Sequence, residues 1–293
     1  MKLDVVCFGS AVIDSFVDTD IRELDKKMCY PVGEKISVQD LEFLPGGGGI
    51  NTSTAFSRLG LKTGLITKLG KDFNSGKILN FLKVEKIKFL GSIDKKGKTG
   101  FSVVLDSKEH NRTILTHKGV NNDISYSDLN LKNTSFDWLY LSSLEGKSFK
   151  TQIKTAKELK KKGVKIAFNP SNYLIKENSL NALIKICDIL ILNKEEGIQL
   201  LKKNKILNGE NKKQIANNIS KMGPEIVVIT DKDKPVVAYS KKEKKYFSIK
   251  PSNKKAKERT GAGDAFASGF VAGQITGKNI KYSLKLGLKE AES

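Results

Sequence analysis

The sequence predicts an α/β fold in which a central, mostly parallel sheet is covered by helices on both faces and carries a small β lid. Three observations lead there. Short apolar runs alternate in regular order with amphipathic helical patterns, the signature of parallel strands joined by helical crossovers. A chain of 293 residues is long enough to close one large core. Two stretches, near 13–39 and 99–117, break the rhythm with hairpin character, as inserted lids do.

The elements follow in order. Residues 3–9 read as a buried strand entered directly from Met1, with no apolar leader and no small-residue cleavage site, so a cytoplasmic protein is expected. After the excursion at 13–39 come four consecutive glycines, Gly46, Gly47, Gly48 and Gly49, and a helical stretch over 53–59. Residues 62–69 form the next strand, and 100–106 with 112–117 pair around Ser107-Lys108-Glu109-His110-Asn111. Further strands are read at 137–142, 164–168, 188–192 and 225–230, with helices such as 150–162 and 211–222 between them. Neither an internal repeat nor a low-complexity linker marks a boundary, so residues 1–293 are read as one domain.

Composition removes several function classes. No apolar run approaches the roughly 18 residues of a membrane span; the best candidate, 186–192, is interrupted by Asp188. Cys7, Cys29 and Cys187 are scattered and have only His110 and His117 for company, which excludes a disulfide framework and a zinc site. The formal charge of +20 invites a nucleic-acid partner, but four of the 52 basic residues are arginines, leaving 48 lysines spread along the chain. A solvated lysine surface is the better reading, with no nucleic acid and no membrane as partners.

Three motifs carry chemistry. In Pro45-Gly46-Gly47-Gly48-Gly49-Ile50-Asn51-Thr52 the glycines let backbone approach a ligand, with N–H groups ahead of a helix; the bland alternative is a flexible turn capped by Asn51 or Thr52, with Gly60 at C′. In Thr260-Gly261-Ala262-Gly263-Asp264, Gly261, Ala262 and Gly263 present successive N–H groups at the start of a helix, a hole for phosphate oxygens or a developing anion. Asp264 is the carboxylate of interest, although an acid in a first turn also complements the helix dipole. Asn193-Lys194-Glu195-Glu196 follows a strand, where its side chains face the ligand crevice of an open α/β sheet; it equally fits a capping box. Rival phosphate loops fail on spacing. The stretch Gly70-Lys71-Asp72-Phe73-Asn74-Ser75-Gly76-Lys77-Ile78 has one residue too many for a Walker loop and Ile78 where Ser or Thr is needed, and Gly9-Ser10-Ala11 lacks the further glycines of a dinucleotide site.

Taken in order over the whole chain, these motifs resemble the ribokinase-like (PfkB-type) carbohydrate kinase family. Gly46-Gly47-Gly48-Gly49-Ile50-Asn51 is similar to its GGxGxN signature, Thr260-Gly261-Ala262-Gly263-Asp264 to its TGAGD signature, and Asn193 with Glu196 to its NxxE element. Asp14 is similar to the family aspartate that holds substrate hydroxyls, and Arg112 and Gly119-Val120-Asn121-Asn122 sit where lid-associated motifs occur. The resemblance implies a ribokinase-like three-layer sandwich and transfer of the ATP γ-phosphoryl group to a hydroxyl of a sugar or sugar-like molecule. It implies Asp264 as general base, Gly261, Ala262 and Gly263 as anion hole, and Asp14, Gly46, Gly47, Gly49 and Asn51 as substrate-binding residues. Asn193, Thr230 and Thr260 fall on the nucleotide side, with Glu196 supporting Mg2+ through water. A homodimer through the β lid is also implied.

The chain departs from the family at Glu258 and Arg259, beside the place where many relatives hold a monovalent cation. It departs again at Lys232 and Pro235, where a nucleotide loop usually has glycines, and at a C-terminus expected to be shorter than the family's. The alternatives are a nucleoside or phosphosugar kinase of the same fold, or a catalytically weak sugar- or nucleotide-binding relative. Arg112 either reaches a phosphate or carboxylate on the substrate, which would favour a phosphosugar, or is a solvated hairpin residue, and the second reading is preferred.

Overall fold

The first strand, Lys2–Phe8, is apolar on both faces, and such a strand must lie inside a sheet covered on both sides. The computed structural model describes residues 2–109, 111–206, 209–252 and 261–293, and in it Val5 and Cys7 enter one core while Val6 and Phe8 enter another. Strand Ser135–Ser142 splits in the same way, Trp138 and Tyr140 to one side, Leu139 and Leu141 to the other. This division makes the molecule three layers.

Among the described residues nine strands form the central sheet. Their spatial order is Lys245–Ile249, Val236–Ser240, Ile226–Thr230, Ile189–Asn193, Lys165–Asn169, Ser135–Ser142, Lys2–Phe8, Thr63–Ile66 and Lys88–Phe89. From Ile226–Thr230 to Lys88–Phe89 every pairing is parallel, and the other edge is an antiparallel hairpin. Helices Gly146–Lys161, Lys194–Lys203 and Lys212–Ser220 cover one face through residues such as Phe149, Leu200 and Ile215. Helices Gly48–Arg58, Phe73–Val84, Ala262–Ile275 and Ile280–Ala291 cover the other through Phe56, Ile78, Phe270 and Leu284.

Topology sets the site. The chain leaves Lys2–Phe8, builds the Thr63–Ile66 side of the sheet, then returns to lay Ser135–Ser142 on the other side. The order reverses at the carboxyl ends of those two central strands, where an open α/β sheet leaves a crevice for ligands. Gln152 ties the ends together, its Nε2 donating to Phe8 O and to Ser142 O, both at 2.8 Å.

A second, four-stranded sheet stands apart, in the order Arg112–His117, Gly100–Asp106, Val12–Asp18, Asp40–Gly46. The two excursions read from the sequence therefore join through a parallel pairing of Val12–Asp18 with Gly100–Asp106. The first runs on past residue 39 as Asp40–Gly46, ending inside the glycine motif.

Two boundaries differ from the sequence reading for visible reasons. Residues 62–69 are not one strand but two, Thr63–Ile66 and Lys68–Gly70. Gly91 crosses at the break, where a Cβ would lie 1.6 Å from Thr67 O, and Lys68 leaves for a separate pairing with Ser92, its ammonium buried near Asp94 at 3.2 Å and Asp128 at 3.4 Å. The helix expected over 53–59 begins five residues earlier, at Gly48, with Gly47 as its N-cap. Its far end follows expectation: Gly60 takes φ +86°, Leu61 N–H donates to Phe56 O at 3.0 Å and Gly60 N–H to Ser57 O at 2.9 Å, a Schellman motif.

Candidate active site

Gly47 has no side chain to cap helix Gly48–Arg58, so the orphan N–H groups of its first turn need another acceptor. Ser10 supplies it from the turn after the first strand. Its Oγ accepts from Gly48 N–H at 3.2 Å and its carbonyl from Gly49 N–H at 2.9 Å and Ile50 N–H at 3.3 Å. The oxygens favoured by this helix start are thus the protein's own, which corrects the reading of these N–H groups as ligand donors, and neither Asn51 nor Thr52 is the cap. The glycines serve close approach instead. A Cβ on Gly49 would lie 2.7 Å from Gly9 C, and one on Gly47, at φ +91°, 2.9 Å from Ser10 O.

Freed from capping, Asn51 reaches the C-terminal motif: its Nδ2 donates to Asp264 Oδ2 at 3.0 Å, joining residues 213 positions apart. Asp264 is the third residue of helix Ala262–Ile275, whose N-cap Gly261 takes the left-handed φ of +82°. That turn leaves the first N–H groups of the helix without intrahelical partners, and among the described residues a Cβ on Gly263 would meet nothing within 4 Å. Gly261, Ala262 and Gly263 therefore stand at a positive helix start. Burial pushes the Asp264 carboxyl above its ordinary value of 3.8, and the Asn51 hydrogen bond opposes the shift.

The core beneath holds neutral groups. Burial pushes the Cys7 thiol up to about 12 and the Tyr140 hydroxyl well above 10, and the Asp264 charge adds to both shifts. Tyr140 Oη and Ser142 Oγ are buried without a hydrogen-bond partner among the described residues, Ser142 Oγ lying 1.9 Å from where a Cβ on Gly9 would stand.

Asp14 comes from the lid sheet. A Cβ on Gly46 would lie 2.0 Å from its Oδ2, so Gly46 is what makes room for this carboxylate. Burial raises the Asp14 pKa, while the Ser102 hydroxyl and the Lys118 charge lower it. Asp14, Gly46, Gly47, Gly49, Asn51 and Asp264 thus form one connected constellation.

Asn193 and Thr230 meet as register partners at the carboxyl ends of neighbouring strands. Asn193 and Glu196 form the capping box: Asn193 Oδ1 accepts from Glu196 N–H at 2.8 Å, and Glu196 Oε2 from Asn193 N–H at 2.9 Å. Glu196 is buried, and burial raises its pKa above 4.5. Lys232 takes φ +49°, the left-handed backbone that favours glycine, so the loop keeps a glycine-like turn with a lysine in it. Thr260, Glu258 and Arg259 lie outside the described residues. Arg112 is not a solvated residue: its Nε is 3.9 Å from Asp106 Oδ2 and its guanidinium packs on the Phe16 ring at 5.7 Å.

Sequence reasoning missed Ser10, Ser142, Lys118 and Tyr173. Tyr173 follows strand Lys165–Asn169; its hydroxyl is pushed up to about 12, chiefly by burial, against hydrogen bonds with Ser143 and Ser171, and it feels the charges of Glu145 and Asp264. For Ser10 and Ser142 the available signal was their position at or just past the carboxyl end of a sheet strand.

The fold and this crevice define an α/β protein whose ligand site lies at the carboxyl ends of its central strands. The pfkB family carbohydrate kinase model matches residues 2–292, and the chain belongs to that family. Its relatives include the cytidine kinase of Thermococcus kodakarensis, 24% identical over 99% of this chain and 95% of that protein, and the ribokinase of Staphylococcus aureus, 28% identical over 93% and 86%. Adenosine kinase from Schistosoma mansoni, solved with 2-fluoroadenosine, superposes with a TM-score of 0.83 at 19% identity, covering 98% of this chain and 94% of its own. The chain is thus a sugar or nucleoside kinase of the PfkB family, and no helix among the described residues is long and apolar enough to cross a membrane.

Proposed function

We propose that the chain transfers the γ-phosphoryl group of ATP to a hydroxyl of a sugar or sugar-like acceptor, with Asp264 taking the hydroxyl proton. The observation that carries this reading is the Asn51–Asp264 hydrogen bond, which brings the two glycine-rich motifs to one point at the sheet's switch in strand order. Asp14, Gly46, Gly47, Gly49 and Asn51 shape the acceptor side. The N–H groups of Gly261, Ala262 and Gly263 receive the oxygens of the transferring group, and Asn193, Thr230 and Thr260 belong to the nucleotide.

The chemistry suits these parts. A loose phosphoryl-transfer transition state needs positioning and charge stabilisation more than covalent help, and fixed N–H donors at a helix start supply both without reorganising. An aspartate is a weak base toward an alcohol, so Asp264 takes the proton late, as bond formation acidifies the hydroxyl; a pKa raised by burial makes it a better base. Among the described residues no three His, Cys, Asp or Glu side chains converge as a metal set. That fits magnesium, which ordinarily rides on substrate phosphates and water with one or two carboxylates, and Glu196 is the carboxylate that would reach it through water. When bound, the ion neutralises phosphate charge.

The test is ATP consumption by the full chain, with magnesium, against pentoses, hexoses, sugar acids, sugar phosphates and nucleosides, with Asp264→Asn in parallel. Turnover on one class is expected, falling at least about 100-fold in the variant with nucleotide affinity unchanged. Near-normal turnover in Asp264→Asn removes that residue from the mechanism. Silence across the panel, with ATP still bound, favours a non-catalytic relative.

A further inference from the structure

A second group of side chains meets at the same strand ends and has no part in the assignment above. Lys118 precedes the short 3-10 turn Gly119–Asn122, and its carbonyl is held by Asn121 through N–H at 3.2 Å and Nδ2 at 3.0 Å. Asn121 is fully buried and bonds Ala11 N–H and Ala11 O, each at 2.9 Å, so the root of Lys118 is fixed to the turn where the chain passes from the first strand into the lid. From there its ammonium stands 5.8 Å from the centroid of the Tyr173 ring. The segment that carries this ring is tied in at its start: Ser171 N–H donates to Ser143 Oγ, just past the carboxyl end of Ser135–Ser142.

Among the described residues no carboxylate oxygen lies within 4.0 Å of the Lys118 ammonium, although the residue is half-buried. Lys68 and Lys160, by comparison, each hold an aspartate at 3.2 and 2.6 Å. The Lys118 charge nevertheless falls on Asp14, and that of Asp264 on Tyr173, so the pair sits within electrostatic reach of both ends of the acceptor site. A half-buried cation resting on an aromatic face, with no carboxylate of the described residues on its remaining hydrogens, is a receptor for an anion. The ammonium covers one of the two faces of the Tyr173 ring and takes that face from any stacking nucleobase.

We propose that Lys118, seated on Tyr173, selects acceptors that carry an anionic group, a carboxylate or a phosphate, remote from the hydroxyl that is phosphorylated. This rests on the kinase reading and narrows it to acid sugars or sugar phosphates over neutral sugars and nucleosides.

Isothermal titration of the full chain tests it independently of turnover. The probes are D-gluconate against D-glucose, D-fructose 6-phosphate against D-fructose, and cytidine. One charged probe is expected to bind at least about 10-fold more tightly than its neutral counterpart, and which one distinguishes carboxylate from phosphate. Lys118→Gln should abolish the preference and Lys118→Arg retain most of it, while with ATP the loss appears in KM for the charged acceptor and not in kcat. Equal or tighter binding of the neutral probes or of cytidine, no binding of either charged probe at millimolar concentration, or a preference that survives Lys118→Gln overturns the inference. The two readings fail separately. A Lys118-dependent preference without ATP consumption sinks the kinase assignment alone; turnover of a neutral acceptor unaffected by Lys118→Gln sinks only this one.

Discussion

An ionised carboxylate in the first turn of helix Ala262–Ile275 gains from the helix dipole and loses from burial, and at Asp264 burial outweighs the Asn51 hydrogen bond that opposes it. A folded-state pKa raised above the unfolded value means that the native state holds its proton more tightly. Stability from that proton is fully present below the unfolded value, near 3.8, and is lost as pH rises through the folded value. Above the folded value the native state carries the cost of keeping this base ionised. Asp264→Asn, which retains an oxygen for Asn51 Nδ2, is expected to raise the melting temperature at pH 7 while it destroys turnover. The gain should vanish as pH falls toward 3.8, and melting curves at pH 7 and pH 4 check it. A variant that melts lower than the parent at pH 7 would mean that the carboxylate stabilises the fold.

The lid sheet acts at the scale of an element, and one cross-strand contact connects it to the site. Gly46, in register with Val12, lies under the Asp14 carboxylate two residues along the neighbouring strand. Gly46→Ala puts a methyl 2.0 Å from Asp14 Oδ2, and that oxygen is the free end of a side chain, so the cheapest response is for the carboxylate to rotate away while the strands stay paired. The expected outcome is an acceptor KM raised roughly 10-fold, about 1.4 kcal/mol, with kcat nearly intact and a melting temperature within about 2 °C of the parent. Asp14→Ala should do the same, and the double variant should be no worse than either single one, because both remove the same interaction. Additive losses would mean that Gly46 matters for its backbone alone.

What the sequence made legible follows the same division between local and long-range causes. The apolar runs named most central strands to within a residue or two because their burial is periodic, and the motif residues Asn51 and Asp264 were legible as types at spacings. The cap that Ser10 lends to helix Gly48–Arg58 was not, since it crosses 38 positions and leaves no periodic trace. Lys118 and Tyr173 were missed for the same reason: each looks like an ordinary surface residue until the strand ends bring them together.

At the scale of the whole molecule the formal charge of +20 remains to be accounted for. Charge alone guarantees attraction to any polyanion at low ionic strength, by release of condensed counterions, so weak DNA binding is expected and says nothing about function. The distribution argues against a specific nucleic-acid face: the basic residues are almost all lysines, and several are committed, Lys68 and Lys160 to aspartates, Lys154 to the Tyr126 ring at 4.4 Å and Lys165 to the Trp138 ring at 5.2 Å. Base readers depend on the arginine fork, and of the four arginines Arg58 is engaged with Glu85 at 2.6 Å and Arg112 lies against Asp106 and Phe16. A gel-shift titration with duplexes of unrelated sequence should therefore show retardation only at low salt, gone by about 150 to 200 mM and indifferent to sequence. Retention above that range, or discrimination between duplexes, would require a built nucleic-acid surface and would make the lysines part of the function. Loss on schedule leaves them as a solvated coat whose long-range field draws anionic small molecules toward the crevice, consistent with an acceptor that bears a negative charge.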